Sequence, residues 1–494
     1  MASKLNILFV SSEVYPFAKT GGLADVSSAL PVALKELGHD VRIFMPRYRQ
    51  ISDRKFVLRD VIRLQNISIN MGGKTYVFDI KSAFMPNAKV QVYFLDYKPF
   101  FDRDGLYVDP ETGKDYPDNA ERFALFSKAA IEILNILHWH ADVIHCNDWQ
   151  SALVPAYLKT IYADDPFYKS VRSLLTIHNI GYQGNFAAEV LPKIDLPSDL
   201  FYPAGPIEFY NQVSFLKAGL SFANKINTVS PTYAREIQES PEYGMGMEGV
   251  LKSRSKDVFG ILNGVDYSVW DPSVDDLIPV KYSAKNLGEK LENKKALLAE
   301  VGLEFDASVP VIGSISRLAD QKGFDLIAEA FEELMSLNLY YVLLGTGDPK
   351  YHEMFEELQK KYPGKFSANL RFDNRLAHMI EAGADMFLMP SRYEPCGLNQ
   401  MYSLRYGTIP IVRKTGGLAD TVVDFRPDSP DGTGFVFEEY SAEAMLGAVK
   451  RALEIFPDEK TWRHLQKQAM KQDFSWKASA KEYVKLYSLL KKGD

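Results

Sequence analysis

The stretch LNILFVSSEVYPFAKTGGLADVSSALPVALKELGHDVRIFM, residues 5–45, predicts a strand, a helix and a second strand in succession. The apolar runs 5–10 and 41–45 are typical of buried strands. Between them, apolar residues recur at helical spacing on one face: Val26, Leu30, Ala33, Leu34 and Leu37. Gly38 is a suitable helix end, and Pro31 inside the pattern predicts a kink. A strand–helix–strand unit of this kind indicates a parallel sheet.

The same alternation continues along the chain. Strands are predicted at 90–95, 143–146 and 173–177, and then at 311–316, 341–344, 386–389, 409–412 and 434–437. A helix over 324–337 follows the first strand of the second half. Two parallel α/β domains are therefore expected, which also suits a chain of 494 residues. The seam is predicted near Asn263-Gly-Val-Asp266, followed by a charged, turn-rich connector with a helix over 271–309.

Composition excludes several classes of function. Apolar residues make up 46% of the chain and charged residues 24%, which is an ordinary globular balance. The formal net charge of -7 argues against a nucleic acid or an anionic membrane as the main partner. The two cysteines, Cys146 and Cys396, could pair but form neither a disulfide framework nor a metal-ligand spacing. No apolar run reaches the length of a membrane span, and the N-terminus lacks a cleavage-like site, so we expect a cytoplasmic protein.

One heptapeptide occurs twice. Lys19-Thr-Gly-Gly-Leu-Ala-Asp25 recurs as Lys414-Thr-Gly-Gly-Leu-Ala-Asp420, each time between a predicted strand and a helix. Both copies could be no more than good strand-to-helix turns, with glycine supplying positive φ. For at least one copy we favour a role in presenting backbone N–H groups to an anion at a helix start.

Polar clusters follow nearly every predicted strand. In open α/β sheets ligands bind outside the carboxyl ends of the strands, so these clusters are the candidate site. A random Arg/Lys pair is usually a surface feature. However, Arg317 and Lys322 are followed by Gly323 at a helix start, a combination that suits a diphosphate. Neither a complete G-x-G-x-x-G nor a P-loop is present, so a nicotinamide site and a P-loop nucleotidase are unsupported.

Three other strand-exit residues leave alternatives open. His178 follows a strand beside Asn179 and Gly181, and a functional role there is about as probable as that of an ordinary loop histidine. Asp148 could instead cap a helix predicted over 150–158. Glu394 lies near a predicted helix start, where a carboxylate is electrostatically comfortable.

Taken together, these segments resemble the family of bacterial glycogen synthases and plant starch synthases. The resemblance is carried in order along essentially the whole chain by Lys19-Thr-Gly-Gly-Leu-Ala-Asp-Val26, His178-Asn-Ile-Gly-Tyr-Gln183, Leu262-Asn-Gly-Val-Asp266, Ser316-Arg-Leu318, Gln321-Lys-Gly323, Pro390-Ser-Arg-Tyr-Glu-Pro-Cys-Gly-Leu398, Tyr406-Gly407 and Lys414-Thr-Gly-Gly-Leu-Ala-Asp420. It implies a GT-B fold, an α/β architecture of two Rossmann-like parallel-sheet domains facing across a deep cleft. Residues 1–262 would form the acceptor-side domain, completed by a C-terminal helix over 476–494, and residues 263–475 the donor-side domain.

The resemblance also implies an activity and its residues. The enzyme would transfer glucose from ADP-glucose to an α-1,4-glucan with retention, without a cofactor and without a metal at the reacting centre. Arg317 and Lys322 would hold the donor diphosphate, and Lys19 would contact the donor phosphate from the opposite domain once the cleft closes. Glu394 and His178 would bind the donor glucose, with Asp148 and Asp25 near the sugar or the acceptor. Further donor contacts would come from Gly21, Gly22, Gly345, Tyr393, Cys396, Gly397, Leu398, Thr415, Gly416 and Gly417.

One position departs from the wider set of retaining GT-B enzymes. Many of them carry a second Glu eight positions after the first, whereas this chain has Tyr402 there. No pair of carboxylates suited to a double displacement is evident at the strand exits. We therefore hypothesise a front-face displacement in which the leaving diphosphate accepts the acceptor's proton.

Three rival functions remain in view. A non-catalytic glucan-binding scaffold would have lost the phosphate-binding cations, yet all three are present. A glucan phosphorylase would need a lysine that binds pyridoxal phosphate, and a sucrose-type synthase would differ in the acceptor. The preference for ADP over UDP rests on the resemblance alone, and the oligomeric state stays open.

Overall fold

The computed structural model describes residues 4–86, 88–428 and 431–492, and the chain forms two compact units. The first unit comprises Met1–Val229, Ala234–Gly264 and Trp476–Asp494, and the second comprises Ser230–Tyr233 and Val265–Ser475. The sequence predicts a division after residue 262, and the main span of the first unit ends at Gly264. The last two residues of the helix predicted over 476–494 lie outside the described residues.

The first unit is built on a ten-stranded sheet. Seven strands are parallel, in the order β13-β12-β8-β7-β1-β2-β6, while β5, β3 and β4 add an antiparallel edge. β1 lies between β2 and β7. The chain places β2 on one side of β1 and, later in the sequence, β7 on the other side. This reversal is where ligands bind in doubly wound sheets, and it lies at the carboxyl ends of β1 and β7.

The elements of the first unit are, in chain order, β1 Asn6–Val10, α1 Gly22–Glu36, β2 Asp40–Pro46, α2 Asp53–Phe56, β3 Arg59–Asp60, β4 Ile67–Met71, β5 Lys74–Phe84, β6 Gln91–Asp96, α3 Lys98–Phe101, α4 Asn119–Ile136, β7 Val143–Asn147, α5 Leu153–Lys159, β8 Arg172–Ile177, β9 Asn185–Ala187, β10 Glu208–Phe209, β11 Gln212–Ser214, α6 Phe215–Phe222, β12 Lys225–Thr228, α7 Pro231–Glu239, α8 Pro241–Gly244, α9 Glu248–Ser253, β13 Val258–Gly260 and, from the end of the chain, α18 Trp476–Lys492. The first three residues of α7 belong to the second unit. Short 3₁₀ helices span Ile62–Leu64, Trp149–Ser151, Ala188–Lys193, Ser198–Leu200 and Ser255–Asp257.

The second unit has a six-stranded, wholly parallel sheet in the order β16-β15-β14-β17-β18-β19. Its order reverses between β14 and β17, as in a classical dinucleotide-binding sheet. The elements are α10 Lys290–Glu300, β14 Val311–Ile315, α11 Phe324–Ser336, β15 Tyr340–Leu344, α12 Pro349–Lys361, β16 Phe366–Asn369, α13 Asn374–Gly383, β17 Met386–Met389, α14 Asn399–Tyr406, β18 Ile409–Arg413, α15 Gly416–Thr421, β19 Phe435–Phe437, α16 Ala442–Ile455 and α17 Glu459–Met470, with 3₁₀ helices Leu287–Glu289 and Asp320–Lys322.

The strands predicted from apolar runs are confirmed, within about two residues at each end. Helix α1 ends before Gly38, as predicted, and α11 matches the helix expected over 324–337. Pro31 lies inside α1, and the kink expected there stays a prediction. The helix predicted over 150–158 is wrong in its first turn, because the 3₁₀ helix Trp149–Ser151 precedes α5. The sequence reading missed the β4–β5 hairpin, the small sheet of β9, β10 and β11, and β16.

Three further observations bear on the expectations from composition. Cys146 and Cys396 are both buried, lie in different units and form no disulfide with each other. Helix α18 closes the first unit, where the Tyr487 hydroxyl lies 2.7 Å from His145 Nδ1 on β7. Within the described residues, no helix combines the length and the apolar character required to cross a membrane.

Candidate active site

The second unit has a cavity of about 300 Å³ at the carboxyl ends of β14 and β17. It lies where the strand order reverses, because the segments that leave these two neighbouring strands diverge there. Five residues predicted to bind the donor line it together: Arg317, Lys322, Glu394, Gly397 and Leu398. The remaining walls include Ser316, Phe324, Ser391 and Asn399. The fold therefore brings the 316–323 segment and the 390–398 segment to one site.

Lys322 and Glu394 form an ion pair inside this cavity. The Lys322 ammonium lies 2.6 Å from Glu394 Oε2, and the side chains are 22% and 7% exposed, respectively. The Ser391 hydroxyl donates to the same carboxylate oxygen at 3.0 Å. A carboxylate is costly to bury without a partner, and the Lys322 ammonium supplies the opposite charge beside Glu394. Because the Lys322 side chain is mostly buried, an anion that enters the cavity would interact with an ammonium that has already lost part of its hydration shell.

Arg317 stands at the mouth of the same cavity with an exposed side chain. Over the described residues, its guanidinium makes no hydrogen bond or ion pair within the protein. Helix α11 begins directly after Gly323, whose φ of 77° ends the 3₁₀ turn Asp320–Lys322 without a side-chain cap. A free guanidinium, an ammonium and a helix N-terminus thus line one pocket, which suits a diphosphate.

Gly416 and Gly417 pack against the backbone of the 394–396 segment. A Cβ on Gly416 would lie 1.9 Å from the Glu394 carbonyl oxygen, and one on Gly417 would lie 2.0 Å from that of Cys396. The Gly417 amide donates to the Glu394 carbonyl at 3.1 Å. Because the Gly417 amide donates to a carbonyl of the protein, the second heptapeptide packs against the 394–396 backbone and stabilises the Glu394 loop.

The other donor-site residues predicted in this unit lie around the cavity rather than in its lining. The Tyr393 carbonyl accepts from Gln321 Nε2, and the Cys396 carbonyl accepts from Gln400 Nε2 at 2.9 Å. Thr415 is fully buried. Gly345 follows β15, and its amide donates to the Asn369 carbonyl at 3.1 Å.

Tyr402, eight positions after Glu394, has a packing role. Its ring stacks on Trp270 with centroids 4.0 Å apart and an interplanar angle of 3°. The other face of Trp270 stacks on His378 at 3.8 Å. In this chain the position therefore holds an aromatic ring stacked on Trp270 and not a carboxylate.

In the first unit, the first heptapeptide forms an open loop between β1 and α1. The Lys19 ammonium lies 2.7 Å from Asp25 Oδ1, and both side chains are exposed. A Cβ on Gly21 or Gly22 would meet no atom within 4 Å. The two copies of one heptapeptide thus differ: the first leaves room for a ligand, and the second packs against backbone.

Glu13, which the site prediction did not include, holds this loop in place. Its carboxylate is nearly buried and accepts from the Thr20 amide, the Thr20 hydroxyl at 2.6 Å and the Gly21 amide at 3.2 Å. The Tyr107 hydroxyl donates to it at 2.8 Å. The signal available in the sequence was the position of Glu13 just after the apolar run of β1.

Asp148 and His178 meet at the ends of β7 and β8. The interpretation of Asp148 as a helix cap is wrong, because its carboxylate makes no capping bond and instead accepts from the His178 amide at 2.7 Å. Burial raises the pKa of Asp148 to about 7, while hydrogen bonds from the backbone of His178 and Asn179 act in the opposite direction. Glu13 also raises this pKa through its charge, which places the Glu13 loop and Asp148 in one neighbourhood.

His178 is a neutral hydrogen-bonding group at physiological pH. Desolvation lowers its pKa to about 3. Its Nε2 lies 2.9 Å from Asn147 Oδ1, so a neutral ring protonated at Nε2 would donate to this amide oxygen. Asp148 itself has a φ of 53°, an unusual conformation for a residue other than glycine. Strained backbone of this kind clusters at functional sites, which fits the predicted roles of this pair.

The described residues contain no group of three or more His, Cys, Asp and Glu side chains arranged to hold a metal ion. The prediction that the reacting centre needs no metal stays a prediction, to be tested with chelators.

Comparisons with known proteins extend over the whole chain. Residues 6–253 match the family described as the starch synthase catalytic domain, and residues 301–472 match the glycosyl transferases group 1 family. A glycogen synthase of Koribacter versatilis is 50% identical over 99% of this chain and 98% of its own, and one of Thermosipho melanesiensis is 47% identical over 98% of each.

Solved structures agree with these matches. The catalytic domain of starch synthase IV from Arabidopsis thaliana, bound to ADP and acarbose, is 35% identical and has a TM-score of 0.88 over 99% of this chain and all of that one. Sucrose-phosphate synthase from Thermosynechococcus elongatus shares the fold alone, at 18% identity and a TM-score of 0.59 over 99% of this chain and all of that one. The resemblance and the fold class predicted from the sequence are confirmed.

Proposed function

Because the chain belongs to the family of bacterial glycogen synthases and plant starch synthases, we propose that it transfers glucose from ADP-glucose to the non-reducing end of an α-1,4-glucan with retention. The chain is a glycosyltransferase, and the proposal concerns its donor, acceptor and stereochemistry. The observation that carries it is the cavity where Arg317 and the Lys322–Glu394 pair meet at the end of β14 and β17. The product would be elongated glycogen or starch.

ADP as the leaving group has two supports. The structure of starch synthase IV at 35% identity is described as bound to ADP. In this chain, Phe372 follows the carboxyl end of β16, at the same end of the sheet as the cavity, and is 87% exposed. β16 pairs with β15, and β15 with β14, so their following segments adjoin. An exposed ring there offers an apolar face to a nucleotide base and supports a nucleotide leaving group, while the choice of adenine rests on the relative.

The reaction we propose is a front-face displacement. The bond between the glucose C1 and the diphosphate oxygen breaks, and the acceptor 4-hydroxyl oxygen bonds to C1 on the same face. The hydroxyl proton passes to the departing phosphate oxygen. Arg317 and Lys322 stabilise the negative charge that develops on ADP, and the Glu394 carboxylate stabilises positive charge at C1.

The first-unit residues keep the roles implied by the resemblance. Lys19 would contact the donor phosphate, while His178, neutral at working pH, would hydrogen-bond the donor sugar. Asp148 and Asp25 would lie near the sugar or the acceptor. The Glu13 contacts support this assignment indirectly, because a loop held by three hydrogen bonds to Glu13 presents Lys19, Gly21 and Gly22 from a defined backbone.

The decisive experiment follows the release of ADP or UDP on glycogen supplied with ADP-glucose or UDP-glucose. We expect faster release from ADP-glucose, with new α-1,4 linkages detected by proton NMR. Glycogen binding without nucleotide release would favour the scaffold, and a pyridoxal-phosphate absorbance band would favour a phosphorylase. Faster turnover of UDP-glucose would refute the donor assignment. A cytoplasmic location, expected from the sequence, belongs to the same proposal and is tested by cell fractionation.

A further inference from the structure

A tight hairpin in the first unit carries a tyrosine in an unfavourable backbone conformation. β10 and β11 are joined by two residues, Tyr210 and Asn211, with φ angles of 47° and 62°. A two-residue turn with both φ values positive is a type I′ turn, for which Asn-Gly is the preferred sequence. A bulky side chain at the first of these positions is a true outlier. Such outliers persist where the surrounding structure holds them and cluster at binding sites.

The surrounding residues fix this turn from both sides. Glu208 Oε1 accepts from the Asn211 amide at 2.6 Å, and Glu208 Oε2 accepts from the Ala204 amide at 2.8 Å. The Lys217 ammonium donates to the Glu208 carbonyl at 2.6 Å from a nearly buried side chain. The hairpin tip is therefore a built feature with a defined geometry.

The Tyr210 ring projects from this tip as a platform. It is 81% exposed and makes a T-shaped contact with Phe209, with centroids 4.7 Å apart. Gly246, at a φ of 88°, approaches both rings: a Cβ there would lie 2.7 Å from Phe209 Cζ and 3.5 Å from Tyr210 Cε2. Phe209 and the backbone at Gly246 contact one side of the ring, and most of its surface is exposed to solvent.

The platform is continuous with the segment that carries His178. Met245, next to Gly246, accepts from Gln183 Nε2 through its carbonyl at 3.0 Å, and its Sδ would lie 3.3 Å from a Cβ on Gly181. Between these two positions, Tyr182 is 56% exposed. The same small sheet also exposes three uncharged amide side chains, those of Asn185, Asn211 and Gln212.

We propose that the Tyr210 hairpin, residues 208–214 with the adjoining 245–246 and 181–183 segments, is a binding surface for the α-1,4-glucan chain. Aromatic rings offer apolar faces to the hexose rings, and neutral amides offer hydrogen bonds to hydroxyl groups. A hydroxyl-rich, uncharged polymer matches this chemistry better than an anionic partner. The inference rests on the proposed function for the identity of the polymer.

The test measures glycogen affinity separately from catalysis. Migration in native gels containing glycogen is compared for the wild type, Tyr210→Ala, Tyr210→Phe and Phe84→Ala, and a kinetic assay gives KM for glycogen and for ADP-glucose. Phe84 is the matched control, since it is another aromatic of the first unit and is 64% exposed. We expect Tyr210→Ala to weaken glycogen binding about tenfold, since truncating an aromatic anchor commonly costs at least a factor of five.

We expect Tyr210→Phe and Phe84→Ala to bind glycogen like the wild type, and the loss of affinity in Tyr210→Ala to appear as a raised KM for glycogen. Retained affinity in Tyr210→Ala, or an equal loss in Phe84→Ala, overturns the proposal. So does a change in oligomeric state in Tyr210→Ala, by size-exclusion chromatography, with glycogen affinity intact. Because gel retardation needs no turnover, an inactive wild type that still binds glycogen through Tyr210 would refute only the proposed function.

Discussion

Removing the Lys322 ammonium should impair stability and turnover for separable reasons. In the unliganded enzyme, Lys322→Ala leaves the Glu394 carboxylate, 7% exposed, with the Ser391 hydroxyl as its remaining hydrogen-bond donor in the cavity. An unsatisfied buried polar group costs about 1–3 kcal/mol of unfolding free energy, and more when it is charged. Since Lys322 is 22% exposed and water can reach its place, we expect the lower part, about 1–2 kcal/mol.

The catalytic effect should be larger. A preorganised charge contact to the developing leaving group is typically worth a factor of about 10²–10³ in turnover, or about 2.7–4 kcal/mol. The assays are urea unfolding and ADP release on glycogen. Lys450→Ala removes an exposed ion pair with Glu333 and is the control, expected to change stability by about 0–1 kcal/mol and turnover not at all.

A double-mutant cycle with Glu394→Gln separates the two effects. In Lys322→Ala/Glu394→Gln the orphaned charge is gone, so most of the lost stability should return while turnover stays low. Turnover of Lys322→Ala within about threefold of the wild type would refute the diphosphate assignment. A stability loss that Glu394→Gln fails to reverse would refute the view that Lys322 neutralises a buried carboxylate.

Four further outcomes are expected. Lys19→Ala should lower ADP release with little change in urea midpoint, because Lys19 is exposed and paired only with the exposed Asp25 among the described residues; a large drop in midpoint would contradict this. Incubation with EDTA should leave turnover intact, whereas activity lost in EDTA and restored by a divalent ion would overturn the metal-free prediction. Since the pKa of Asp148 is raised to about 7 in the fold, the unfolded chain binds fewer protons between about pH 4 and 7, so this group's stabilising contribution is lost as pH rises through that window. Asp148→Asn should therefore gain stability relative to the wild type from pH 4 to 7 in urea titrations, and a constant difference would contradict the raised pKa. Gly417→Ala should destabilise the second unit and lower turnover, because its Cβ would lie 2.0 Å from the Cys396 carbonyl oxygen. Gly21→Ala is the control and should fold normally, since its Cβ would meet no atom within 4 Å. Thermal unfolding compares the two variants, and equal melting temperatures would contradict the packing role of Gly417.

Short-range sequence patterns were sufficient to predict most of the parallel strands of both sheets. The segments that became β1, β2, β7 and β14 are mostly apolar because strands buried on both faces need no polar alternation. The polar residues directly after them could be assigned to one edge, since parallel strands end together. Arg317, Lys322 and Glu394 were identified in this way, and the structure places them around one cavity. The β4–β5 hairpin was missed although Ile67, Ile69 and Met71 alternate before the Gly72-Gly73 turn, because this signal is an alternation and not a continuous apolar run. The strands of the small β9–β11 sheet, two or three residues each, are too short to show a pattern.

Tertiary structure alone decided what identical or ambiguous segments do. The heptapeptide at Lys19 and its repeat at Lys414 have the same local preferences, yet Gly21 faces open space while Gly417 lies against the Cys396 backbone. Asp148 looks like a helix cap from its neighbours in sequence, but its carboxylate accepts from the His178 amide, thirty residues away. The physical reason is that a strand or helix is selected by neighbours within a few residues. Burial, pKa and hydrogen-bond partners are set by groups that only the folded chain brings into contact.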